Sequence, residues 1–210
     1  MYRTAKRRPV VHQEVFGMND GDILELIKSR RSIRSFLNKE VPNELVMKVL
    51  EAGRWAPSAS NNQPWRFIVV NTTGLRDRIA DMAEVFSMNG FVKRTPVIIV
   101  LYTEEFHKWV DLDCGMASQN IMLEAYSLGL GTCFIGGYRE KEIKELLNLP
   151  LKARILGLIV LGYPDEKPEP RKRYLLNEIS SFGSYNRLIA KNKFSKRIKM
   201  IIGSKFFKKL

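Results

Sequence analysis

The sequence predicts an α+β fold, a central sheet flanked by helices, and two observations lead there. The strand-like runs, above all 97–102 and 153–163, are continuous and rich in β-branched residues, the pattern of strands covered on both faces. The helical patterns between them differ in length, without a regular strand–helix alternation or an internal repeat. With 45% hydrophobic and 27% charged residues in 210, the chain has enough apolar material for a substantial core. No apolar run approaches the ~18 residues of a membrane span.

Taken in order, Asp20 or Asp22 can cap a first helix through about Ser29, with Ile23, Leu24, Leu26 and Ile27 as its apolar face. Pro42 then opens NELVMKVLEAGRWA, a second helix whose apolar positions recur at Leu45, Val49 and Ala52/Gly53. The polar loop PSASNNQP leads into a strand at 65–70, followed by a helix at 74–88 and the strand at 97–102. A long helix is expected at 104–128. Its stretch CGMASQNIMLEAYSLGL is apolar on most sides and should be central and buried. A short strand at 132–135, a short helix at 140–147 and a last strand at 153–163, ended by Gly162 and Pro164, complete the set.

The formal charge of +13 is unevenly placed. Residues 187–210 hold nine Lys/Arg and no acid, and residues 1–19 hold four Lys/Arg against Glu14, so the body at 20–186 carries only one of the thirteen. The chain therefore divides into a basic arm (1–19), a folded domain (20–186) and a basic tail (187–210). A nucleic-acid-binding body would carry its basic stripe on the body itself, so no nucleic acid is expected as partner. Cys114 and Cys133 match no metal spacing and read as reduced core thiols. The basic N-terminus lacks the apolar stretch of a secretory signal. A cytoplasmic protein fits all of this. His12 and His107, the two histidines, sit in the arm and at a helix start and are not expected to be catalytic.

Four segments carry chemistry. In Ser29-Arg30-Arg31-Ser32-Ile33-Arg34-Ser35, extended backbone would place Arg30, Ser32 and Arg34 on one side, a good anion receptor because Arg binds phosphate through paired donors. A solvated basic patch after a helix is the plainer alternative. In Ala56-Pro57-Ser58-Ala59-Ser60-Asn61-Asn62-Gln63-Pro64-Trp65, small polar residues allow close backbone approach to a ligand, although such loops often merely connect. In Gly129-Leu130-Gly131-Thr132-Cys133-Phe134-Ile135-Gly136-Gly137-Tyr138, paired glycines after a strand expose backbone N–H groups, while the dinucleotide pattern G-x-G-x-x-G is absent. Finally, Gly162-Tyr163-Pro164 precedes Arg171-Lys172-Arg173, whose cations suit either a phosphate or solvent.

In this order, SRRSIRSF, APSASNNQPWRF, GLGTCFIGG and LGYP with a downstream PRKR, the motifs resemble the nitroreductase family over roughly residues 22–180. The resemblance implies an α/β sandwich, tightly bound FMN, an intertwined homodimer sharing its FMN sites, and NADH or NADPH as co-substrate. It implies ping-pong reduction of a small-molecule acceptor through flavin N5. Arg30, Arg31 and Ser32 then fall near the FMN phosphate and ribityl chain. Arg34 falls at the pyrimidine edge, where a cation stabilises negative charge on the reduced ring. Pro57, Ser58 and Asn61 match a loop that the partner subunit lends. Asn89 matches an amide that reads the ring, Gly136 and Gly137 a turn facing N5 and O4, and Arg171 and Arg173 two basic phosphate ligands. Arg34 and Gly136 are the residues expected to act in catalysis.

A non-enzymatic flavin-binding or membrane-surface module is the alternative. It draws on the tail, where Phe194, Ile198, Ile201 and Ile202 share a helical face until Lys205 and Lys209 break it. That stripe could lie on an anionic membrane, making the protein peripheral. Wrapping of the partner subunit is the competing, favoured use.

Overall fold

A computed structural model describes residues 22–84 and 89–184, and the chain divides into two compact units, Met1–Glu169 and Pro170–Leu210. The arm 1–19 with His12, and the tail 187–210 with its apolar stripe, lie outside the described residues.

In the first unit, β1 (Arg66–Val70), β2 (Val97–Thr103), β3 (Gly131–Ile135) and β4 (Arg154–Gly162) form one antiparallel sheet in the order β1-β2-β4-β3. Helices cover both faces of the central strands β2 and β4, and their largely apolar runs follow from that burial. Alternation then sorts the side chains. Ile98, Val100, Leu158 and Val160 face one core with Cys133 and Ile135; Val97, Ile99, Ile159 and Leu161 face the other. The first core is closed by Ile79, Ala80 and Ala83 of α3 (Thr73–Ala83) and Ile143 of α5 (Glu140–Leu146). The second is closed by Val46 and Val49 of α2 (Asn43–Arg54) and Ile121 and Ala125 of α4 (Val110–Ser127). The result is an α+β sandwich, as the sequence predicts. One bulge interrupts it: Leu101 pairs with Gly157 and Tyr102 with Ile155, so Leu156 is the extra residue.

The helix α1 (Asp22–Ser29) and most other elements fall where the pattern places them. The long helix does not start at 104 but at Val110. Before it, the Glu105 N–H donates to the Thr103 hydroxyl at 3.1 Å and the Trp109 N–H to His107 Nδ1 at 3.3 Å. Such side-chain bonds offer the backbone an alternative to helix. Nor is the helix buried all round. Val110, Asp113, Cys114, Ala117, Ile121 and Ala125 are buried, while Leu112 and Met116 are exposed. Its apolar residues encircle the helix, but a single chain covers one side. The helix expected at 74–88 is described as far as Ala83; residues 85–88 lie outside the described set. In the second unit, a single turn, α6 (Leu176–Ile179), is capped by Glu178, whose carboxylate accepts the Leu175 N–H at 2.7 Å.

Both cysteines are free and buried. Burial pushes the Cys114 thiol up to about 12, with Asp113 and Asp111 adding to the rise.

At the end of β4, a methyl on Gly162 would meet Pro96 ring carbons at 2.7 and 2.8 Å and Phe36 at 2.9 Å. A proline ring cannot swing aside. Gly162→Ala should therefore destabilise the fold by about 1–3 kcal/mol, the usual cost of overpacking. Urea unfolding of both forms measures this, and equal midpoints would show that the contact yields freely.

Candidate active site

The segment after α1 is a strap laid across the ends of the sheet. Ser32 pairs in parallel with Thr132 of β3, and Phe36 pairs antiparallel with Pro164 just beyond β4. The Ile33 N–H donates to the Thr132 carbonyl at 2.9 Å and the Leu37 N–H to the Tyr163 carbonyl at 2.9 Å, while the Ser35 carbonyl accepts from the Asp165 N–H at 2.9 Å. Buried Ile33 and Phe36 pin the strap from below. The strap lies this close to β3 because residue 131 is glycine: a methyl there would meet Ile33 Cγ1 at 2.7 Å and Cβ at 2.9 Å.

This extended geometry sets Ser32 against Thr132 of β3 and leaves Arg34 exposed, its guanidinium 3.5 Å from the Ser32 carbonyl. Burial raises the Cys133 thiol, while the charges of Arg34 and Arg30 and a hydrogen bond with the Ser32 side chain pull it back. Arg30, Ser32 and Arg34 thus share a short strap beside β3, two cations and a hydroxyl of the kinds suited to an anion. Arg31 is used differently. Its guanidinium donates to the Lys28 carbonyl at 2.5 Å and the Arg30 carbonyl at 2.9 Å, closing the end of α1, where a cation is favourable.

The other end of β3 runs into Gly136 and Gly137. Both are exposed, and a methyl on either would meet nothing within 4 Å. The turn is anchored on all sides. Asn89 donates its amide to the Gly137 carbonyl at 3.3 Å and to the Ala83 carbonyl at 3.1 Å. The Tyr138 hydroxyl donates to the Ile155 carbonyl at 2.8 Å, and the Arg139 N–H to the Met82 carbonyl at 2.9 Å. Asn89 therefore meets the glycine turn by bonding to its backbone.

The loop with Pro57, Ser58 and Asn61 is seated on α4. Buried Asp113 accepts the Ala59 N–H at 3.2 and 3.3 Å, and the Ser58 hydroxyl accepts the Gln63 N–H at 3.0 Å. Ser60, Asn61 and Gln63 have φ of 52°, 57° and 48°, the left-handed region that non-glycine residues rarely adopt. Three such residues in one loop store strain, which the Asp113 and Ser58 bonds offset. Arg171 and Arg173 lie, exposed, in the second unit.

Two acids escape the sequence reading. Glu166, in a loop noticed for its cations, accepts the backbone N–H groups of Arg34 and of Ser35, the latter at 3.1 Å. Asp113 is the other; its one signal in the sequence is an acid inside an otherwise apolar helical run. A cleft of about 900 Å³ opens beyond the strap, lined by residues including Leu37, Lys39, Asn71, Arg76 and Arg94, and none of the predicted site residues borders it.

Comparison with known proteins identifies the family and the fold. The sequence model of the nitroreductase family matches residues 27–86 and 83–163. A Methanothermobacter thermautotrophicus protein, provisionally named NADH dehydrogenase/NAD(P)H nitroreductase, is 43% identical over 159 residues, covering 71% of this chain and 81% of its own. Among solved structures, an FMN-dependent nitroreductase from Clostridium difficile superposes with a TM-score of 0.71 at 29% identity, over 77% of this chain and 99% of its own. The NADPH:FMN oxidoreductase of Vibrio harveyi, complexed with NAD+, superposes at 0.70 with 27% identity, over 78% and 77%.

Asp113→Ala leaves the Ala59 N–H without its acceptor in a strained loop. A loss of about 1–3 kcal/mol is expected, the cost of an unsatisfied buried group, with Asp113→Asn losing less because its carbonyl still accepts. Thermal unfolding of the three proteins tests this, and an undiminished Asp113→Ala would contradict it.

Proposed function

The chain belongs to the nitroreductase family of oxidoreductases, and we propose that it is an FMN enzyme that reduces a small oxidised acceptor, such as a nitroaromatic or quinone, at the expense of NADH or NADPH. The observation that carries this is the pairing of the Arg30–Arg34 strap, with its two cations and a hydroxyl, against the first residues of β3, while the open Gly136–Gly137 turn follows the other end of that strand. A phosphorylated ring cofactor asks for such a pair of environments: charged donors for a dianion, and bare backbone where a flat ring can approach. The names of the relatives support the choice of cofactor and reductant.

FMN bound here would supply the redox chemistry, carrying reducing equivalents from the nicotinamide to the acceptor. The chain's own residues then have separate tasks. Arg30 and Ser32 hold the phosphate and ribityl region, with Arg31 supporting them by closing α1. Arg171 and Arg173 are assigned to the phosphate on sequence pattern alone. Arg34 places positive charge where the reduced ring accumulates negative charge, and Gly136 offers its N–H at N5. Gly137 and Asn89 keep the turn in shape.

The reading includes a homodimer. On α4, Leu112 is 60% exposed; on α2, Met47 is 64% exposed, and Trp55, just past the end of α2, is 72% exposed. Large apolar side chains grouped on neighbouring helices mark a surface that a partner covers. The 57–62 loop, strained and rich in small polar groups, is the part each subunit lends to the other's flavin.

Three measurements follow. Arg30→Ala and Arg173→Ala should each weaken FMN binding tenfold or more, since a charge-assisted contact contributes about 1.5–3 kcal/mol. Wild-type affinity in both, measured by flavin fluorescence, would remove the phosphate assignment. Arg34→Gln should keep FMN but lower its two-electron potential; an unchanged potential in a spectroelectrochemical titration would take Arg34 out of that role. Sedimentation equilibrium should give a dimer, with Leu112→Asp yielding monomers that lose FMN. A wild-type monomer that retains flavin would refute the shared site.

A further inference from the structure

We infer that Glu166 is a positioning residue for the cationic strap: its carboxylate fills the gap between two pairing registers and fixes where Arg34 stands. The inference rests on the flavin reading of the site. Between Ile33, which bonds to β3, and Leu37, which bonds beyond β4, the strap changes partner, and no strand backbone takes the N–H groups of Arg34 and Ser35. Both donate instead to Oε1 of Glu166. Successive N–H groups converging on one point make an anion-binding concavity, and here the chain supplies the anion itself. The carboxylate comes from a segment fixed in turn by the Asp165 N–H on the Ser35 carbonyl and by the Phe36–Pro164 pairing. Glu166 therefore closes a short ring of bonds around residues 34–36, and the Arg34 side chain leaves the backbone from inside that ring.

Coulomb's law alone assigns Glu166 the opposite effect. A carboxylate beside Arg34 and Arg30 opposes binding of an anionic cofactor, so deleting its charge should tighten binding. A positioning role predicts the reverse, and the sign separates the two.

The test compares the full-length wild type with Glu166→Ala and Glu166→Gln. In the flavin-free proteins, amide hydrogen exchange should show faster exchange at 33–37 in Glu166→Ala, with protection kept in Glu166→Gln, whose carbonyl still accepts both N–H groups. On FMN titration, Glu166→Ala should bind about tenfold more weakly, the effect of losing charge-assisted bonds, and Glu166→Gln should bind at least as well as wild type. Unchanged exchange at 33–37 in Glu166→Ala overturns the inference, as does FMN binding that stays equal or tightens in that variant. A wild type that binds no FMN would instead overturn the flavin reading, and the exchange data would still decide whether Glu166 pins the strap.

Discussion

The strap at 32–37 is held against the sheet by the Ile33 N–H on Thr132 and the Leu37 N–H on Tyr163, and the site's geometry depends on that pairing. Extended backbone sends alternate residues to opposite sides. Ile33 goes down into the core, and Arg34 beside it is left exposed. One constraint makes the approach possible, a glycine at 131 where any side chain would collide with Ile33. The placing of the cationic residues is thus a consequence of packing: their backbone lies where the core and the pairing leave it.

The rest of the sandwich serves to keep two loops at fixed places. β3 connects the strap's contact at Thr132 to the glycine turn at 136–137, so a single five-residue strand sets the separation between charged donors and bare backbone. That turn is tied to the α3 end through Asn89 and Arg139 and to β4 through Tyr138, by bonds that use carbonyls as acceptors. On the opposite face, α4 buries one side under the sheet and uses Asp113 to seat the strained loop at 58–63. Its other side keeps Leu112 and Met116 uncovered.

The sheet, the strap after α1 and the glycine turn after β3 were legible in the sequence because periodicity and turn chemistry are local signals. The run at 97–102 reads as a covered strand from its β-branched residues, and Gly136–Gly137 reads as a turn that exposes backbone N–H groups. Arg30, Ser32 and Arg34 were legible as one face because alternation along extended backbone requires it. What stayed hidden is long-range. Nothing near residue 166 shows that its carboxylate bonds to the backbone at 34 and 35, and Asp113 looks like an interruption of a helix until Ala59 is seen beside it. The start of α4 was misplaced by six residues because Thr103 and His107 bond locally to the backbone, a competition that periodicity does not register. The all-round apolar character of that helix was visible, but how much of it one chain can cover depends on tertiary packing.

The central claim is that this site holds FMN and that the bound flavin cycles between a reduced nicotinamide and a small oxidant. An anaerobic titration of the purified full-length protein with NADH and then NADPH, followed by addition of a nitroaromatic or a quinone, tests it most directly. The account predicts a yellow protein whose visible flavin absorbance bleaches with about one equivalent of at least one of the two nucleotides and returns on adding acceptor, as expected of a cofactor that carries the chemistry. A colourless protein that takes up no added FMN, or a flavoprotein that neither nucleotide reduces, would contradict it.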